Sequence, residues 1–199
     1  MMGKTHVAIG TFSALLLLQP TTVPECALAI AGGALGGVTA DIDTVGNDYK
    51  HDALIGQLLS LAIAGSMILC NFISDGGVIR EILNTNRTII IIGAVAYLVL
   101  LIKGYLSDHR TFTHSFLAAI LFTLAIGLIY TPISASYFVG YLSHLFMDVL
   151  NKKDVPLLYP LKKGVCLKLC YAGKTANEAF MWIGFIGSIA LAVYLILHG

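Results

Sequence analysis

Residues 88–106 read TIIIIGAVAYLVLLIKGYL, and this stretch decides what kind of protein the chain is. A hydrocarbon core about 30 Å thick, climbed at 1.5 Å per residue, calls for roughly 20 apolar residues, so 88–106 is long enough to cross it as a helix. Working outward, residues 53–73, 114–131 and 179–197 meet the same standard, and 133–150 matches it in length while carrying His144 and Asp148. Pro132 breaks the apolar run between 114–131 and 133–150, which therefore read as a tight helical hairpin. Residues 7–18 and 26–40 are shorter and are joined by a turn from Pro20 to Pro24. They read either as two short tilted spans or as a re-entrant pair shielded by its neighbours. Lys4 ahead of an apolar run also invites a signal-peptide reading, but Gln19-Pro20-Thr21-Thr22 lacks a small-x-small cleavage pattern, so the segment is counted as retained. The expectation is an all-α polytopic membrane protein with about seven helical segments.

Composition agrees. Of 199 residues, 57% come from the set AVILMFWYC and 12% are charged, and the mean hydropathy is +0.85. Soluble domains carry about 25% charged residues, so an ordinary cytosolic domain is excluded. Disorder would need few large apolar residues, and a disulfide scaffold more than four cysteines. A formal charge of +1 supplies no basic field for nucleic acid. With no repeat and no low-complexity tract, residues 1–199 read as one membrane-embedded domain.

Alternating the segments sorts the connections onto two sides. One side receives Lys4, Lys50, Arg110, Lys152, Lys153, Lys162, Lys163, Lys168 and Lys174, with Lys103 nearby, and the other receives Arg80 and Arg87. The positive-inside rule places the lysine-rich side and the N-terminus in the cytoplasm, and the chain in the inner membrane. The parity holds whether or not the first two segments span fully. The connection 151–178 is too long for a simple link. Pro156 and Pro160 bracket Leu157-Leu158-Tyr159, and residues 165–171 alternate as a short strand or hairpin would. It reads as an interfacial flap whose lysines either meet anionic lipid head groups or only fix topology.

Ionisable groups in membrane segments cost about 2.5 to 3.5 kcal/mol each on insertion scales and usually face a cavity or a partner. His6, Asp41, Asp43, His109, His114, His144 and Asp148 are such groups, and on this topology all lie on the lysine-rich side. Orientation was read from Lys and Arg alone, so this convergence is partly independent evidence for one site. His144 and Asp148 share a helix face four residues apart, a half-site for zinc or manganese or simply a hydrogen-bonded pair. His109 and His114 converge only if the chain bends; Thr113 as an N-cap would begin the next helix at His114. Asp41 and Asp43 follow the glycine-rich 32–37 run, where glycines permit close helix approach, and the carboxylate pair either binds cations or is merely solvated. His6 is a ligand or an interfacial residue. His51 belongs with a charged loop, Cys166 and Cys170 read as ordinary thiols, and Cys26 and Cys70 as small apolar residues.

Together, His6 in KTHVAIG, ADIDT at 40–44, HRTFTHS at 109–115, and GYLSHLFMDVLN followed by DVPLLYPLKKG resemble a bacterial family of membrane-bound, predicted metal-dependent hydrolases, described in some members as regulated by the SOS repressor. The likeness runs in order from His6 to about Glu178. It implies a helical hydrolase whose metal ligands are His6, Asp41, Asp43, His109, His114, His144 and Asp148, with Arg110 inside the HR-x-x-TH motif and Glu178 at the mouth of the last helix. Ala40 and Thr44 stand where the family commonly has Pro and His, Thr111 and Phe112 where it has Gly and an aliphatic residue, and Asn151 replaces a frequent Thr.

Seven ligands exceed the three that a catalytic zinc takes, so the expectation is a divalent cation, zinc or manganese, in one or two copies. The implied chemistry is attack of metal-activated water on a phosphorus or acyl carbon. Arg110 would hold a phosphate oxygen, and Asp43 or Glu178 would act as general base. A site at the interface suits an ester or phosphoester of a lipid-like substrate, with membrane lipids as partners. The rival reading is a transporter or ion pathway using the same His and Asp residues; a third is a non-catalytic membrane scaffold.

Overall fold

Two polar residues set the start of the second helix. Thr22 Oγ1 accepts the Glu25 amide while Glu25 Oε2 accepts the Thr22 amide, a capping box with Pro24 in the first turn. That cap turns the chain from α1 (Gly3–Leu18) into α2 (Val23–Thr39), which a 3₁₀ turn over Ala40–Thr44 extends. The computed structural model describes residues 2–44, 50–161, 163–169 and 175–198, with the side chain of Lys50 left out. The expectations for Lys162, Cys170 and Lys174, and the end of the strand expected over 165–171, fall outside the described residues.

The remaining helices are α3 (Lys50–Ile73), α4 (Val78–Asn84), α5 (Arg87–Tyr105), α6 (Phe116–Ile129), α7 (Ser134–Val149) and α8 (Thr175–His198). By length and composition, α3, α5, α8 and the extended α2 can cross a membrane, whereas α1 and α6 are apolar but shorter. Segment 114–131, expected to span, is a helix of only 14 residues. Ser115, not Thr113, caps it by accepting the Ala118 amide, and the chain turns extended at Tyr130 before Pro132. The small helix α4 was not expected; the Asn71 side chain builds it, accepting the Val78 amide and donating to the Pro24 carbonyl.

Close packing makes the centre. Between α1, α2 and α7, glycines meet backbone to backbone: a Cβ on Gly140 would collide with the Gly33 carbonyl oxygen, and one on Gly37 with the His6 carbonyl oxygen. Without water to drive apolar burial, such small-residue contacts are how helices associate in lipid. Tyr137, Tyr141, Phe112 and Phe122 fill the space between α6 and α7. In contrast, α3, α5 and α8 display Leu, Ile and Val outward.

Helix α8 begins where α1 begins, with Asn177 Oδ1 accepting from the Met2 amide and the Thr5 hydroxyl. Helix α3 also starts there, Gly3 resting against Asp52 and Gly56. The long connection before α8 returns to the same end. Its expected strand is absent among the described residues, where one antiparallel bridge, Val155 to Val165, is present instead. The Leu157 carbonyl accepts the Phe116 amide, Tyr159 packs edge-on against Phe112, and the Lys103 ammonium lies 4.2 Å from the centre of the Phe112 ring. The flap thus sits on the start of α6.

Candidate metal centre

Four parts of the chain meet at this end. His6 lies one turn into α1, Asp41 and Asp43 in the 3₁₀ turn after α2, His109, Arg110 and His114 in the bend before α6, and His144 and Asp148 on the last turns of α7. The bend that His109 and His114 need is made at Arg110, whose backbone adopts φ 63, a left-handed conformation unusual for a non-glycine residue. This turn aims the Arg110 amide at Asp43 Oδ2, 3.0 Å away, and its guanidinium at Asp148 Oδ2, 2.8 Å away.

The imidazoles are fixed by what their Nδ1 atoms meet. His144 Nδ1 donates to the Gly37 carbonyl at 2.7 Å, and His114 Nδ1 lies 3.2 Å from Asp43 Oδ2 and 3.1 Å from the Thr113 hydroxyl. Both Nε2 atoms are therefore directed inward as acceptors, the tautomer being assigned from these partners. They lie 3.3 Å apart. Asp148 Oδ2 is 3.4 Å from His114 Nε2, while Asp41 Oδ1 is 3.7 Å from His144 Nε2 and 3.9 Å from His114 Nε2. Ligand atoms placed tetrahedrally at about 2.05 Å from one zinc stand roughly 3.3 Å from one another, so the atoms of Asp41, His114 and His144, 3.3 to 3.9 Å apart, approach the spacing of a metal's ligands.

His6 stacks on His144 with ring centroids 3.8 Å apart. Both its ring nitrogens are buried without a hydrogen-bond partner, and Nε2 stands 3.5 Å from Asp148 Oδ1. Burying an imidazole's polar atoms unpaired is costly, and a cation is a partner that would satisfy one of them. Three overlapping groups could hold an ion: His6 with His144 and Asp148, Asp41 with His114 and His144, and Asp43 with His109 and His114.

Asp43 differs from the other carboxylates. It accepts from the Arg110 amide and, at 2.6 Å, from the Thr113 hydroxyl, and it lies 2.8 Å from His109 Nδ1. Tyr141 in turn donates to the Thr113 carbonyl. Thr113, read from sequence as a helix cap, is thus part of the centre. Glu178, the other expected base, is exposed in the first turn of α8 and outside these groups. Arg110 is not a free anion receptor, since Nη1 also donates to the Lys153 carbonyl, though its Nε is buried without a partner. His51, expected in a charged loop, is instead exposed in the first turn of α3 and outside these groups. Cys166, at the flap surface, has its thiol pushed up by the Asp154 carboxylate, which suits an unreactive group.

The chain is 33% identical over 94 residues to an uncharacterized protein, YvsG, of Bacillus subtilis (strain 168); the match covers 46% of this chain and 58% of that relative's length. No solved structure matches the chain. The family model described as YdjM inner membrane protein matches residues 1–198, in keeping with the helical spans and with the ordered motifs from His6 onward. The chain belongs to the YdjM family of inner membrane proteins.

Proposed function

We propose that this protein is a membrane-embedded, metal-dependent hydrolase acting on an ester or phosphoester of a lipid-like molecule. The observation that carries the reading is the pair of inward Nε2 atoms of His114 and His144, each held by a partner on Nδ1 and flanked by Asp41 and Asp148. Asp41, His114 and His144 hold the ion in this reading, with Asp148 beside them. The chemistry that a divalent cation would supply there is Lewis-acid polarisation of a substrate oxygen and a lowered pKa for water. Asp43 orients His114, as carboxylates behind metal-binding histidines do. Arg110 has its terminal nitrogens on Asp148 and the Lys153 carbonyl, so only its buried Nε is left to meet a phosphoester oxygen beside the ion. The geometry lends no support to Asp43 as general base, because its oxygens are already engaged, and Glu178 faces away into the surroundings.

One observation favours a second ion. Asp148 Oδ1 lies 3.5 Å from His6 Nε2, whose ring nitrogens have no hydrogen-bond partner, so His6, His144 and Asp148 would hold it.

Metal analysis of the purified chain tests both readings. Zinc or manganese should copurify, His144→Ala and Asp148→Ala should abolish it, and His6→Ala should lower the stoichiometry from two ions to one. Metal content unchanged by His144→Ala and Asp148→Ala, or no metal at all, would remove the basis of the hydrolase reading. The metal-loaded protein should then release product from phospholipids or polyprenyl phosphates. Proton or ion flux in proteoliposomes without any hydrolysis would favour a transport pathway instead.

A further inference from the structure

A groove runs along the back of α1, between α3 and α8, and encloses about 600 Å³. Sites that take small molecules enclose roughly 300 to 1,000 Å³. Val7, Ile63, Met67, Trp182, Phe185 and Ile189 form its walls, and Ala8, Ser188 and Ala192 leave it hollow. The hydroxyls in the lining are satisfied within their own helices: Thr11 donates to the Val7 carbonyl and Ser188 to the Gly184 carbonyl. No wall group therefore asks for a polar occupant. One charged residue belongs to the lining, Lys4. It sits in the first turn of α1, at the end of the bundle where α3 and α8 also begin.

We infer that this groove binds an anionic phospholipid, one acyl chain lying between α3 and α8 and the phosphate meeting the Lys4 ammonium. A cation at the membrane surface followed inward by an apolar trough is the layout of a charged head group and its chain. The groove is separate from the metal centre. At 3.6 residues per turn, the face of α1 formed by Lys4, Val7, Ala8 and Thr11 points about 150° away from His6. The inference stands independently of the hydrolase proposal.

Trp182 is the single tryptophan of the chain and lies in the groove wall, so its fluorescence reports occupancy. The full-length protein, in mixed micelles, is titrated with dibrominated phosphatidylglycerol or dibrominated phosphatidylcholine, whose bromines quench nearby indole. One lysine beside an anionic group is worth roughly 1 kcal/mol, so the anionic lipid should half-quench at about fivefold lower mole fraction. Lys4→Gln should bring the two titrations together, and Ala192→Leu, which narrows the trough, should weaken quenching by both lipids. Far-UV circular dichroism confirms that each variant is folded. Equal quenching by the two lipids in the parent chain, or a preference that persists in Lys4→Gln, would overturn the inference. Quenching by neither lipid, with emission that depends on protein concentration, would assign the groove to a second copy of the chain instead.

Discussion

Asp43 accepts a backbone amide and a hydroxyl while facing two imidazoles, so its work is to hold neighbours in place. Thr113 is the test of that role, because its hydroxyl stands 2.6 Å from Asp43 and 3.1 Å from His114 Nδ1. Groups behind metal ligands typically change metal affinity by about 10- to 100-fold when removed. Thr113→Val should weaken metal binding by that order in a chelator competition, whereas Thr111→Val, whose hydroxyl donates to the Asp108 carbonyl, should leave it unchanged. The sequence made His144 and Asp148 legible as a pair because helical spacing alone puts them on one face. Thr113 was not legible, since a threonine just before an apolar run looks like a cap. What distinguishes it is a partner 70 residues earlier in the chain, and contact at that separation leaves no local pattern.

At the scale of elements, the decisive contact is the approach of α7 to α2. Gly140→Ala would push a methyl into the Gly33 carbonyl. Overpacking of this kind costs about 1 to 3 kcal/mol, and the melting temperature in detergent should fall accordingly. Gly65→Ala in α3 meets nothing within 4 Å and exchanges the poorer helix former for the better, worth about 1 kcal/mol in an exposed helix. It should be neutral or stabilising in the same melt. Hydropathy located every long helix, because spanning a bilayer imposes length and composition directly. It misjudged where α6 starts, since Thr113 and Ser115 are both capping residue types ahead of the same apolar run and nothing local chooses between them. It also missed α4, whose seven residues are organised by the Asn71 side chain from outside the segment.

For the whole molecule, the gathering of His and Asp at one end was legible from topology alone, because alternation of spans fixes which connections share a side. The structure brings those connections together, with the starts of α1, α3 and α8 side by side and the flap above α6. The lysine-rich end is expected to face the cytoplasm. In a cysteine-free background, a membrane-impermeant maleimide should label Leu83→Cys, on α4 at the opposite end, in intact cells. Lys163→Cys, on the flap, should be labelled only after the cells are opened; the reverse pattern would invert the orientation.

Three of the helices that frame this end are short ones. Helices α1, α6 and α7 have 16, 14 and 16 residues, against 24 each in α3 and α8. At 1.5 Å per residue the inner three reach only about 21 to 24 Å through a core of about 30 Å. Because α1, α3 and α8 begin side by side at the His and Asp end, the shortfall of α1 against α3 and α8, about 12 Å at 1.5 Å per residue, falls at the opposite end of the bundle. There the bilayer is expected to thin, or lipid head groups to sink, to meet the short central helix, while the His and Asp cluster stays level with the starts of the long ones.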